Sequence, residues 1–134
     1  SEHYAQGART DWSHHHVSAY AAAHPWEDWA ETWAHYLHMV DLLETAAAYA
    51  TGLNLPGANA APREHVANPF GQPAPGFDTM VRQWVPLTLL LNSLNRSLGQ
   101  QDAYPFALSA GALRKLRFVH DTIAQGSSVP AVRP

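Results

Sequence analysis

His24-Pro25-Trp26-Glu27-Asp28-Trp29-Ala30-Glu31-Thr32-Trp33-Ala34-His35-Tyr36-Leu37-His38 is the stretch that decides the fold of this chain. Pro25 disfavours the helical conformation at His24, yet it suits the first turn of a new helix, where its missing N–H has no partner to lose. From there Trp26, Trp29, Ala30, Trp33, Leu37, Val40 and Leu43 recur at the three-and-four spacing of a buried helical stripe. Good helix formers continue to residue 49, and Gly52 is the expected end. The prediction is a helix over 25–49 with its tryptophans in the core.

Working outward, Asp11 or Ser13 is placed to cap a shorter helix reaching residue 23, since either side-chain oxygen can accept from the free N–H groups of a first turn. Residues 53–76 are rich in Pro and Gly and show no sustained period, which predicts a long loop, 53–77, between the second and third helices. Asp78 is the expected cap of a third helix through Val81, Trp84, Leu87, Leu91 and Leu94 to residue 98, bent by Pro86 near Arg82 and closed by Gly99. A fourth helix starts at Ser109 and carries Leu113, Leu116, Val119, His120 and Ile123 on one face; Gly126 and the tail 127–134 end it. No alternating β-branched segment of strand length and no internal repeat is visible. The expected class is all-α, a bundle of about four helices forming one domain over 1–134.

Composition bounds the function. The chain has 134 residues, 46 % of them hydrophobic, enough for one core. Lys and Arg number 8 against 11 for Asp and Glu, so there is no basic footprint for nucleic acid or an anionic membrane. No apolar run approaches the roughly 20 residues that cross a bilayer. The absence of cysteine excludes disulfides and a thiol nucleophile and fits a reducing compartment, with the cytoplasm the expectation. No Ser/His/Asp order, phosphate loop or dinucleotide turn can be read.

The chemistry-bearing residues lie on the second helix. Glu27, Glu31, His35 and His38 are four, four and three apart, which clusters them on about a quarter of the circumference. Two readings stay open: a solvated polar face with an ordinary Glu31–His35 pair, or a metal or acid–base site, since carboxylate and imidazole are what zinc takes when cysteine is missing. His14-His15-His16 could bind metal adventitiously, although three successive side chains splay around a helix. His24 could cap the helix or face a cleft, and His120 fits a core-edge histidine or a partner for Asp121.

Ser18-Ala19-Tyr20-Ala21, followed by the stretch from His24 to His38, resembles a bacterial family called the putative zinc-binding metallopeptidases. Leu94-Asn95-Arg96-Ser97-Leu98-Gly99 and Asp102-Ala103-Tyr104-Pro105-Phe106 are similar to its C-terminal region, so the resemblance covers most of the chain. It implies a gluzincin-like hydrolase in which two zinc ligands and the general base come from a His-Glu-x-x-His helix in an N-terminal part, and the third ligand from a later Glu. Glu27 matches that Glu, and Glu31 one turn on resembles the acid that orients a zinc-bound histidine. Tyr20 matches a phenol that stabilises the oxyanion in some gluzincins. His35, His38 and His24 are lesser ligand candidates.

No His-Glu-x-x-His occurs in the sequence. The expectation is therefore the C-terminal helical part of a zinc-dependent peptidase, with zinc and a peptide substrate in the complete protein and no activity in this chain by itself. Its partner would be the part bearing the His-Glu-x-x-His helix. The alternative is a non-catalytic helical interaction module, docking on another protein or forming a homodimer through the second helix.

Overall fold

Pro25 opens the longest element, and the backbone at His24 is extended, as a residue before proline requires. In the computed structural model, which describes residues 10–54, 63–105 and 107–127, there are three α-helices. They are α1 (Pro25–Ala48), α2 (Phe77–Ser97) and α3 (Ala110–Ser127), with a short antiparallel pair, β1 (Gly52–Leu53) and β2 (Glu64–His65). The all-α class holds, and three helices are present among the described residues, where about four were expected for the whole chain. In place of a first helix, two 3-10 turns at Trp12–His14 and Ala21–Ala23 bracket irregular chain. Asp11 precedes the first turn but its side chain does not cap it, so no helix is nucleated there. The two-residue strands are too short to leave an alternating pattern.

The second correction concerns which face of α1 is inside. Trp26 is 73 % exposed and Trp29 58 %, and Leu37 is exposed as well. Thr32, Tyr36, Met39, Leu43 and Ala46 are buried instead, with His35 and Val40 beside them. Val40 and Leu43 of the expected stripe are buried, but over the first turns the buried face lies one residue, about 100°, from Trp29, Trp33 and Leu37.

The helix also ends earlier than Gly52. Ala50 carries a positive φ of 50°, its N–H reaches the carbonyl of Ala47 at 2.9 Å, and the Thr51 N–H reaches that of Ala46 at 3.0 Å. This is the left-handed reversal that normally recruits glycine. Gly99 does the same job after α2 with φ 74°, its N–H on the Arg96 carbonyl at 3.0 Å and that of Gln100 on Asn95 at 2.8 Å. Gly76, not Asp78, precedes α2 at its cap position, and Asp78 lies in the first turn, where its charge suits the helix dipole. Pro86 sits inside the continuous α2.

The chain forms two compact units, Ser1–Leu37 with Leu108–Pro134, and His38–Ala107. In the first, Val17, Ala21 and Ala112 cluster, and Leu116 and Val119 of α3 are buried. Gly111 is where α3 meets the histidine tract: a Cβ there would lie 3.1 Å from the His14 carbonyl oxygen and the His15 Cα. In the second, Trp84, Met39, Leu43 and Met80 are fully buried. Part of the expected loop 53–77 and most of the tail 127–134 lie outside the described residues.

Candidate functional site

The segment before α1 folds its polar side chains onto the first turns of that helix. The Ser18 hydroxyl accepts from the Ala21 N–H at 3.0 Å, which shapes the turn, and donates to Glu31 Oε2 at 2.9 Å. Two residues on, the Tyr20 phenol hydrogen-bonds Glu27. That bond to a carboxylate comes first, followed by slight burial and the charges of Glu27 and Glu31, in holding the Tyr20 hydroxyl above its ordinary pKa; the phenol stays protonated. Glu27 and Glu31 are half-buried, whereas Ala30 and Ala34 on the same side of α1 are exposed. Tyr20, Glu27 and Glu31 therefore come together as one surface cluster, with Ser18 as a fourth member. Ser18 lies in the quoted Ser18-Ala19-Tyr20-Ala21 segment, but nothing in its type or spacing signalled a role.

The other candidates are placed elsewhere. His24 caps α1, its Nδ1 accepting from the Trp26 N–H at 3.1 Å. His35 is turned into the core, 7 % exposed. His38, in the second unit, meets the Tyr104 hydroxyl through its Nδ1. The run Glu27, Glu31, His35, His38 is thus one face only in projection: His35 lies about 80° round the helix from Glu27, far enough to enter the core. His120 receives or gives a hydrogen bond of 2.8 Å with the Tyr36 hydroxyl, whose pKa is pushed up by burial and then by Asp121.

Asp28 lies about 100° round α1 from Glu27. Lys115 donates to its Oδ2 at 2.7 Å and to the His15 carbonyl at 2.6 Å, and His16 Nδ1 lies 3.2 Å from its Oδ1. The histidine tract is thereby tied down by Lys115 and Gly111 through its backbone and by His16 through its ring. The sequence reading missed Lys115, a lone cation in a helix whose partners lie far away in the chain.

Among the described residues no group of three or more His, Asp or Glu side chains converges on a point that could hold a metal ion. The Glu27 and Glu31 pair nevertheless has the donor chemistry of a partial zinc site. A carboxylate can act as one ligand, and a second, held by Ser18, keeps an oxygen free to accept from an incoming ring N–H. The protonated Tyr20 adds a donor beside them.

Residues 1–122 match the profile of a family described as "Putative zinc-binding metallo-peptidase". An uncharacterised protein of Mycobacterium bovis is 44 % identical over 124 residues, which covers 90 % of this chain and 33 % of that protein. Uncharacterised proteins of two Mycobacterium tuberculosis strains match with the same identity and coverage. The chain spans about a third of the length of these relatives. No solved structure matches it.

Proposed function

This chain belongs to the family of putative zinc-binding metallopeptidases, and from that premise we propose that it forms the helical part of a zinc-dependent peptide hydrolase. Glu27 supplies a zinc ligand and Glu31 supports a zinc-bound histidine. The observation that carries this reading is the arrival of Tyr20 and Ser18 on Glu27 and Glu31, beside a side of α1 left exposed at Ala30 and Ala34. Two small residues there leave room for a second helix to approach closely.

Bound zinc supplies a Lewis acid that polarises the scissile carbonyl and acidifies water. What this chain contributes is orientation. Ser18 fixes one oxygen of Glu31, so the carboxylate presents the other. The Tyr20 phenol, protonated and engaged with Glu27, would have to turn from that carboxylate to donate to an oxygen that gains negative charge. With no His-Glu-x-x-His in its 134 residues, the chain alone lacks the two histidines and the general base, and the complete site requires a partner segment that carries them. The substrate class is a peptide.

The test is zinc content and peptide cleavage in the full-length polypeptide carrying this region. Glu27→Gln is expected to lose both zinc and cleavage, and Glu31→Gln to lose about 10–100-fold in zinc affinity, as outer-shell partners of metal histidines do. Unchanged zinc occupancy in Glu27→Gln would remove Glu27 as a ligand.

The exposure of Leu37 on the same helix favours a second reading, a homodimer or other helical pairing through α1. Sedimentation of the 134-residue chain with and without Ala34→Arg separates the two. A dimer abolished by that substitution speaks for the interaction module.

A further inference from the structure

On the side of α1 away from Glu27 and Glu31, α1 and α3 line an open cavity of about 440 Å³ in the first unit. Trp29 and Trp33 are each two residues beyond a glutamate of the candidate site, which places them about 160° round the helix from it. The cavity therefore owes nothing to the zinc reading. Its lining includes Trp29, Trp33, Phe118 and Val119 together with Arg114 and Lys115. The size falls within the range of about 300–1,000 Å³ typical of sites for small organic ligands.

Charge selects the ligand. Lys115 is engaged by Asp28 at 2.7 Å, which neutralises the carboxylate that also lines this space. His16 lies on the other oxygen of Asp28 at 3.2 Å. Arg114 is exposed and takes part in no ion pair among the described residues. The cavity thus offers an aromatic lining with one uncommitted guanidinium, a group whose planar fork matches a carboxylate. Trp29 at 58 % exposed and Phe118 at 65 % leave a large apolar surface that a flat ligand would cover. We propose that this cavity binds a small apolar carboxylate, an aromatic body in contact with Trp29, Trp33 and Phe118 whose carboxyl group pairs with Arg114. A free aryl acid and the C-terminal residue of a peptide share that chemistry.

The test titrates the 134-residue chain with N-acetyl-L-phenylalanine, its amide, phenethylamine and Gly-Gly-Phe, followed by tryptophan fluorescence excited where phenylalanine is dark. N-acetyl-L-phenylalanine is expected to bind at least about tenfold more tightly than its amide, as a charge-assisted hydrogen bond implies. Phenethylamine is expected not to bind. Arg114→Gln, an exposed position whose fold is checked by circular dichroism, should erase the advantage of the acid over the amide. Gly-Gly-Phe binding at least as well assigns the site to peptide C-termini, and its failure beside a binding N-acetyl-L-phenylalanine assigns it to free acids. Equal binding of the amide or the amine, an unchanged affinity in Arg114→Gln, or no binding by any probe overturns the proposal. None of these outcomes bears on Glu27, whose test is zinc content.

Discussion

The two units differ in what their buried hydroxyl and amide side chains bind. In the second, Gln83 accepts from the Ala67 N–H at 2.9 Å and donates to Glu64 and the His65 carbonyl, which fastens β2. Asn92 accepts from the Ala103 N–H at 2.9 Å and donates to the Tyr104 carbonyl at 2.7 Å, fixing the turn after α2. The Thr88 hydroxyl is satisfied by the Trp84 carbonyl at 2.9 Å. In the first unit, the Thr32 hydroxyl and the Trp33 indole N–H are buried and meet no hydrogen-bond partner among the described residues, while Trp26, Trp29 and Phe118 face outward. Both units leave large apolar side chains exposed, Tyr49, Phe70 and Leu98 in the second as well as Trp26, Trp29 and Phe118 in the first; the difference lies in the buried hydroxyl and amide groups, bonded at Gln83, Thr88 and Asn92 and not at Thr32.

The contrast makes its largest prediction with two tryptophans. Trp84→Ala removes a side chain with no exposed surface and is expected to cost about 3–5 kcal/mol in denaturant unfolding. Trp26→Ala, at a position 73 % exposed, should stay within about 0.5 kcal/mol. Comparable losses at the two positions would break the distinction between a core tryptophan and a presented one. Next in size, Asn92→Ala strands the Ala103 N–H and the Tyr104 carbonyl and is expected to cost about 1–3 kcal/mol. Smaller and of opposite sign, Ala50→Gly should stabilise by up to about 1 kcal/mol, because it relieves a left-handed residue that has a Cβ and gives back part of the gain as chain entropy. A loss there would mean the reversal after α1 is held by something other than local conformation.

How much of this was legible follows from the same residues. The start of α1 could be read because proline leaves only one conformation comfortable for its predecessor. The grouping of Tyr20, Glu27 and Glu31 could be anticipated from the family resemblance, and the structure brings the three together. The phase of α1 could not be read. Trp26, Trp29, Trp33 and Leu37 lead into Val40 and Leu43, which are buried, while Thr32, Tyr36 and Met39 make another stripe one residue away that carries the buried face of the first turns. Period alone cannot choose between stripes of equal spacing, and hydrophobicity favours the wrong one because the true face contains Thr32 and His35. Ala50 as a helix stop was invisible for a related reason: glycine is the residue that signals a left-handed turn, and Gly52 stood two positions further on.

Acid should separate the units by a smaller effect. Arg96 pairs with Asp102 through bonds of 2.7 and 2.5 Å, and this pairing holds the Asp102 carboxyl below its ordinary pKa. A depressed carboxyl contributes stability above its unfolded pKa and loses it as pH falls through the folded value. The turn after α2 should therefore keep its clamp at neutral pH and release it only below the usual range for aspartate. A carboxyl-detected NMR titration of Asp102 with an ordinary midpoint would contradict the pairing.

The smallest expected effect probes the contrast most directly. Thr32 is 4 % exposed and its hydroxyl meets no hydrogen-bond partner among the described residues, so the oxygen carries a desolvation cost with no bond to offset it. Thr32→Val keeps the β-branched shape and replaces that oxygen with a methyl group of similar size. Stability should change by no more than about 0.5 kcal/mol, or rise, which thermal unfolding of the two proteins side by side would show. A loss above about 1 kcal/mol would mean that the hydroxyl is satisfied after all, by water or by residues beyond those described, and the first unit would then resemble the second in its internal bonding. Paired with the expected loss in Asn92→Ala, a neutral Thr32→Val would establish that the buried Asn92 amide on α2 binds the fold together, whereas the buried Thr32 hydroxyl on α1 does not.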